Sequence, residues 1–408
     1  MNNKFLHLVT FSALVCSSAV QAQSNKGFAI TSDVKGTFAW NTIREIDLTT
    51  GETVRTFYDK KLHNNFEIVN NQNARLTVNA DNRSQIRLMP MAEGVAASAY
   101  DEKHNRLYYT TMRGTELRYF DLNSATGKIV YNQAQPLFRG NRFDEANVIT
   151  RMAIGSDGNG YALTNDSKNL IKFTTDERSV FTNMGELIDG KKNGTLSIHN
   201  LCSSWGGDMV GDAYGNLYLV SMRNHIFKIN PQTRVADHVG LIKGLPADYT
   251  TNGMAVDAEG DVLLSSAAVA GTYYRLNMGT MEAVPIQSTK NDAVFNASDL
   301  AASNLLFSNK SNPVTFAPER LGNNFVSIYP NPVTNKMLTI QFDKVPAGKY
   351  NFVLMDASGK GVLARTIVIN YFGQVERISL PRTSAGLYMV KLSGSNSKLV
   401  FNDKIMVQ

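Results

Sequence analysis

Asn105-Arg106-Leu107-Tyr108, Gly158-Asn159-Gly160-Tyr161, Gly215-Asn216-Leu217-Tyr218 and Gly260-Asp261-Val262-Leu263 are four versions of one phrase, a tight turn feeding a strand. Their last residues stand 53, 57 and 45 positions apart, so the phrase repeats at the period of a supersecondary unit. About ten residues after each comes a second phrase that alternates apolar and polar positions: Leu117-Arg118-Tyr119-Phe120-Asp121, Leu170-Ile171-Lys172-Phe173-Thr174, Ile226-Phe227-Lys228-Ile229-Asn230 and Tyr273-Tyr274-Arg275-Leu276-Asn277. An earlier copy lies in Ile43-Arg44-Glu45-Ile46-Asp47, and Leu48-Thr49-Thr50-Gly51 then turns into Thr53 to Phe57. Each unit therefore reads as an apolar strand, a Gly/Asn/Asp turn, an aromatic strand, a short turn, an alternating strand and an outer strand.

Four short strands every fifty or so residues cannot bury both faces alone and must close into a ring. The fold class is all-β, a β-propeller. Five third-strand phrases favour five blades, with six the alternative, because the 74 residues from Asp47 to Asp121 hold one unit plus an insertion. The first copy lacks an innermost strand, and Asn296 to Ser303 near the end of the propeller is suited to supply it. Residues 59–94 and 185–205 exceed ordinary connection lengths, and long loops on a rigid ring are where binding function resides. Their Asn, Tyr and Trp content, Trp205 included, suits a glycan or peptide surface.

Beyond residue 307 the composition changes. Residues 308–325 are polar and carry proline, as a linker does. From residue 326 to 408, alternating runs such as Phe352-Leu354 and Tyr388-Val390-Leu392, bounded by Pro, Gly, Asn and Ser, predict a small β-sandwich of immunoglobulin-like type. The segment opens on Ser327-Ile328-Tyr329-Pro330-Asn331-Pro332-Val333. It continues through Gly348 and Tyr350, Asp356 to Gly359, Gly386-Leu387-Tyr388-Met389-Val390-Lys391 and a final Lys404-Ile405-Met406-Val407. In that order the motifs resemble the type A C-terminal sorting domain of proteins exported by the type IX secretion system of the Bacteroidetes. The resemblance implies a domain read by the outer-membrane translocon and removed by a surface sortase, with Tyr329, Pro330, Asn331, Pro332, Gly386, Tyr388 and Lys404 as its sorting motif. The protein is then expected outside the cell, secreted or on the outer surface.

The other terminus agrees. Lys4, a short broken apolar stretch from Phe5 to Val20, and Val20-Gln21-Ala22 form a signal peptide over residues 1–22, too short to span a membrane and cleaved after Ala22. Ala13-Leu14-Val15 before Cys16 misplaces the leucine of a lipobox. Removing Cys16 leaves Cys202 alone, which excludes an intramolecular disulfide; Cys202 reads as a small buried apolar side chain between repeats.

Charge sharpens the division. The chain carries 41 Lys+Arg against 35 Asp+Glu, but residues 326–408 hold 10 basic against 4 acidic and the signal peptide holds Lys4 alone. The passenger, residues 23–307, and its linker are left with 30 against 31, no footprint for nucleic acid or an anionic membrane.

Chemistry in the passenger is sparse. Thr251-Asn252-Gly253-Met254-Ala255-Val256-Asp257-Ala258-Glu259-Gly260 is similar to the Asn-Gly-hydrophobic-Ala-x-Asp motif of NHL-type and gluconolactonase/SMP-30-type propellers. What that resemblance implies is a divalent cation at the channel mouth held in part by Asn252. Asp208 and Asp299 begin inner strands at comparable offsets, inner strands converge on one axis, and such oxygens suit Ca2+ or Mg2+. The glutamate those hydrolases carry near the start of their first blade has no counterpart. Arg151 belongs to the same ring, where it would bind an anion or pair with an aspartate. The histidines of the mature chain, His63, His104, His199, His225 and His238, fall in separate turns without ligand spacing, and no nucleophile elbow, phosphate loop or zinc signature occurs. Two functions are compatible with these residues: a propeller that binds a protein, glycan or other ligand through its loop face, or a cation-dependent hydrolase, lactonase or lyase.

Overall fold

The computed structural model describes residues 24–78, 88–124, 127–133, 136–176, 178–308, 321–322, 326–334, 336–342, 345–370, 374–380, 383–394 and 399–408. The expected signal peptide with Cys16, and nearly all of the expected linker, lie outside them. The chain divides into two compact units between residues 313 and 314, and every strand sheet belongs to one or the other. Among the described residues no helix is long and apolar enough to cross a membrane.

Among the described residues the first unit contains five sheets, each built on four antiparallel strands. Blade 2 runs Val95–Asp101, Arg106–Thr111, Leu117–Asp121, Lys128–Asn132; blade 3 runs Ile149–Ile154, Gly160–Thr164, Leu170–Phe173, Phe181–Gly185. Blade 4 runs Asp208–Gly211, Leu217–Val220, His225–Ile229, Val235–Leu241; blade 5 runs Gly253–Val256, Val262–Ser265, Tyr274–Asn277, Glu282–Pro285. Blade 1 joins the two ends of the unit: Ala297–Ala301 is its inner strand and pairs with Lys26–Thr31, followed by Thr42–Asp47 and Thr53–Tyr58. Phe28 faces Ala301 and Ile30 faces Asp299, so the segment expected to complete the first unit does so.

Five blades close the ring, and the core shows why. Apolar clusters fill each gap between neighbours: Phe28, Ile43 and Tyr58 against Leu107, Tyr109 and Phe120 between blades 1 and 2, and Ala29, Ile46 and Leu48 against Ala255, Leu263 and Tyr273 between blades 5 and 1. The three remaining gaps are filled in the same way. Small residues on the inner strands, Ala97, Ala99, Ala153, Ala255 and Ala297, let five strands approach one axis. At Gly211 a Cβ would lie 2.7 Å from the Ile154 carbonyl oxygen.

The repeated turn has a local cause. Asn105, Gly158, Gly215 and Gly260 all take left-handed φ, between 51° and 89°, where glycine and asparagine are tolerated best. The aspartate before each glycine caps the turn: Asp212 Oδ1 accepts N–H groups of Tyr214 (2.9 Å) and Asn216 (2.7 Å), and Asp257 Oδ1 those of Glu259 (3.1 Å) and Asp261 (2.8 Å). The two long segments also acquire form. Glu67–Asn70 adds a fifth, parallel strand outside Lys128–Asn132, and Ile188–Asp189 does the same outside Val235–Leu241.

The second unit is a two-sheet sandwich. One sheet orders Leu321–Gly322, Val326–Tyr329, Met337–Phe342 and Gln374–Ser379; the other orders Gly361–Ile369, Gly348–Met355, Gly386–Gly394 and Leu399–Val407. Period-two alternation buries Leu338, Ile340 and Phe342 from one and Phe352, Leu354, Val390, Leu392 and Ile405 from the other in a single core.

Candidate functional site

Because every blade is an antiparallel meander, the loops that lead into the inner strands and those joining second to third strands gather at one end of the ring. Backbone hydrogen bonds lace these loops together. Val95 N–H donates to Trp40 O (3.1 Å), Leu137 to Thr115 (2.6 Å), Asn165 to Val148 (2.8 Å), Leu187 to Ser167 (3.0 Å), Met222 to Trp205 (3.1 Å), Ile242 to Asn224 (2.9 Å) and Ala297 to Ser266 (2.9 Å). Gly36 N–H completes the circuit onto Asn296 Oδ1 (2.8 Å). On this stiff rim large apolar side chains stand in solvent: Phe38 is 65% exposed, Phe143 61% and Leu201 59%. Trp40 packs edge-on against Phe38 at 5.7 Å, and the guanidinium groups of Arg142 and Arg113 lie 4.9 and 5.8 Å from the Phe143 ring centre.

Beneath the rim the channel is plugged by polar side chains. Asp208 and Asp299 are wholly buried and hydrogen-bonded to each other although they come from blades 4 and 1. Asp208 Oδ1 accepts the Met209 N–H (2.6 Å), Oδ2 accepts that of Met254 (2.7 Å), and Ser98 Oγ of blade 2 donates to Asp299 Oδ2. Burial pushes both carboxyls up, and the negative charge of Asp208 raises Asp299 further, so one proton is held between them. Asp299 Oδ1 is buried and meets no donor. Ser98, Met152, Met209, Met254 and Leu300 help line a partly open cavity of about 20 Å3, room for a single water.

Arg151, also wholly buried, is spent on carbonyls. Its Nε donates to Gly206 O (2.9 Å), Nη1 to Thr164 O (2.9 Å) and Asn165 O (3.1 Å), and Nη2 to Ser204 O (2.6 Å). It ties the loop before blade 4 to blade 3. Burial lowers its guanidinium to about 9, with Asp166 and Asp208 opposing.

Of the three oxygens expected to hold a cation, the structure brings two together. Asn252 Oδ1 instead accepts the Ala267 N–H (3.0 Å) and the Thr250 hydroxyl (3.1 Å) within blade 5. Among the described residues no three His, Cys, Asp or Glu side chains gather as a metal set. Trp205 is half-buried, its Nε1 donating to His199 O (3.0 Å), and so braces its own loop. Cys202 corrects the sequence expectation: it is exposed, at the tip of a turn capped by Asn200 Oδ1 (2.8 Å to Cys202 N). The histidine expectation is corrected too, because His225 and His238 stand on neighbouring strands with Nδ1 and Nε2 3.2 Å apart. Sequence reasoning passed over Ser98, Phe38 and Phe143; only Phe143, set beside Arg142 in a polar loop, carried a readable signal.

The sorting motif folds as one unit within the sandwich. Both Tyr329-Pro330 and Asn331-Pro332 peptide bonds are cis, Asn331 Oδ1 accepts the Met406 N–H (2.8 Å), and Val333 N–H donates to Met406 O (2.7 Å). Two Ala-Gly-x-Tyr phrases repeat one device: Tyr350 and Tyr388 each donate their hydroxyl to the carbonyl four residues upstream, Pro346 (2.8 Å) and Ser384 (3.0 Å). Gly386 opens the strand of Tyr388, and Lys404 is exposed opposite Met389.

The family model of the secretion system C-terminal sorting domain matches residues 327–408. This chain is a type IX secretion cargo protein. Its address is the cell surface or the medium, and its tail interacts with the type IX machinery. No curated protein matches the cargo chain. Among solved structures, it is similar to the extracellular domain of a one-component system from Bacteroides thetaiotaomicron (14% identity, 90% of this chain and 49% of that one, TM-score 0.32). It is also similar to PorZ, a surface component of the type IX secretion system of Porphyromonas gingivalis (13%, 93% and 51%, 0.32), and to the virginiamycin B lyase of Staphylococcus aureus (11%, 78% and 85%, 0.30). The cargo chain spans about half the length of the first two.

Proposed function

We propose that the cargo protein is a binding propeller, displayed on or released from the cell surface after a sortase removes its tail, and that the loop face of the ring takes a protein or glycan ligand. The observation that carries this reading is the exposure of Phe38, Phe143 and Leu201 on a rim braced by backbone hydrogen bonds. Scattered exposed apolar residues are ordinary. Here they share one end of the ring with arginines, and aromatic residues and arginine are the types enriched at binding surfaces. The test is binding of the mature protein to glycan arrays and to extracellular-matrix and mucin proteins, with the double variant Phe38→Ala, Phe143→Ala beside it. The variant is expected to melt like the parent and to lose at least tenfold in affinity; equal affinity would remove the loop face from consideration.

A second reading, cation-dependent hydrolysis, draws support from the meeting of Asp208 and Asp299 in the channel. It requires Ca2+ or Mg2+ to displace the shared proton. A calcium titration at pH 9 that raises the melting temperature, abolished by Asp208→Asn, would favour it; an unmoved melting temperature would leave the binding reading alone.

A further inference from the structure

His225 and His238 sit thirteen residues apart in sequence on the third and fourth strands of blade 4, far from the channel. A register irregularity between Ile226 and Phe227 sets His238 opposite Phe227 and brings its ring onto that of His225, with ring centres 5.2 Å apart and tilted by 57°. Nδ1 of His225 and Nε2 of His238 are 3.2 Å apart. Two neutral imidazoles so placed share one N–H, and the nitrogen that accepts it has its lone pair directed at its partner. The separation also suits two ligands of one metal ion once the rings turn their lone pairs toward it. With metal–nitrogen bonds of about 2.0–2.1 Å, nitrogens at this separation subtend an angle of about 100° at the metal, between the tetrahedral and square values.

The surroundings hold both ligands in place. The backbone N–H of His238 donates to Asn193 Oδ1 (2.8 Å), and Asn193 is itself buried and tied to Ala236 O (2.9 Å). Phe227 packs against the His238 ring at 5.3 Å, while the backbone N–H of His225 donates to Ser221 Oγ (3.2 Å). Both rings are half-buried, so solvent reaches them. Burial lowers both imidazoles below the ordinary histidine value, and the neighbouring His238 lowers His225 further, which leaves nitrogen lone pairs available at neutral pH.

We infer that His225 and His238 form a two-nitrogen site for a divalent transition metal, Zn2+, Cu2+ or Ni2+, whose remaining positions are filled by water or by an outside ligand. Imidazole pairs select this class over Ca2+ or Mg2+. The site uses none of Phe38, Phe143 and Leu201, on which the binding reading rests.

The experiment uses untagged mature protein carrying its sorting domain, titrated with Zn2+ by calorimetry and with Cu2+ by electron paramagnetic resonance. One equivalent is expected, with a copper spectrum split by two nitrogens. His225→Ala and His238→Ala should each lower affinity at least tenfold and remove the two-nitrogen pattern, whereas His63→Ala and His104→Ala keep both. Should either alanine variant melt early, His225→Asn and His238→Gln replace it, since both retain a polar side chain. Absence of binding, or binding unchanged in the His225 and His238 variants, would reduce the pair to a hydrogen bond and overturn the assignment.

Discussion

Asp299 of blade 1 and Asp208 of blade 4 share a proton in the channel, joining the strand that closes the ring to the blade across from it. The pair titrates far more readily in the unfolded chain, where a carboxyl ionises near pH 4. A carboxyl whose folded value is raised contributes stability that is fully present below its unfolded value and lost as pH climbs through the folded one. Burial raises both carboxyls, so stability is predicted to fall as pH climbs above about 4 toward the raised folded values of the pair. Asp299→Asn preserves the shape of the protonated acid: its amide donates to Asp208 and its oxygen still accepts from Ser98. Melting curves from pH 5 to pH 9 should show a shallower slope in this variant and a gain on the order of 2 kcal/mol at pH 9. An undiminished slope would place the titration elsewhere.

Arg151 supplies a second prediction. Four of its bonds reach carbonyls of blade 3 and of the loop before blade 4, and truncation leaves those buried acceptors without donors. Arg151→Ala is expected to cost about 3–5 kcal/mol in urea unfolding. Arg151→Lys recovers little of that, because one ammonium cannot span oxygens arranged around a planar fork. Full rescue by lysine would mean that charge, and not the fork, holds the loop.

These two predictions show where sequence reasoning reaches and where it stops. The ring was legible because each turn states its geometry chemically, with Asp212 or Asp257 capping and a glycine at positive φ following. The closing strand was legible as an apolar segment left over after every complete unit had been assigned. That Asp208 and Asp299 would approach one axis followed from convergence of inner strands, but their shared proton depends on burial, which no spacing reveals. His225 and His238 were missed for a different reason: a bulge shifts their cross-strand pairing, so the count of residues between them does not show that they meet. Cys202 misled because a lone small thiol is usually buried, while here a turn lifts it into solvent.

Gly207 is the hinge on which the plug enters the channel. Its φ is +84°, and a Cβ there would lie 1.8 Å from the Val220 carbonyl oxygen, an atom fixed in the second strand of blade 4. Gly207→Ala therefore combines left-handed strain of about 1–2 kcal/mol with displacement of a sheet carbonyl. Gly158→Ala has the same kind of strain, φ +73°, but opens onto empty space. Urea midpoints should rank parent, Gly158→Ala and Gly207→Ala in descending order, the last losing at least twice as much as the second. Equal losses would show that the carbonyl yields freely.

Ring closure by Ala297–Ala301 makes the position of truncation decisive. A passenger ending at residue 307 retains the strand whose Leu300 and Asp299 are buried and whose backbone pairs with Lys26–Thr31. One ending at residue 295 exposes the edge of blade 1 and the apolar cluster it shares with blade 5, Ala29, Ala255 and Leu263 among it. The longer form should unfold in one cooperative transition with near-parental melting, so that loss of the sorting domain leaves the propeller intact. The shorter form should bind hydrophobic dyes and lose protection from hydrogen exchange in blades 1 and 5 first, because blade 1 has lost its inner strand and blade 5 the apolar cluster it shared with that strand. Uniform loss across all five blades would instead show that the ring has no weakest joint and that closure is a property of the whole.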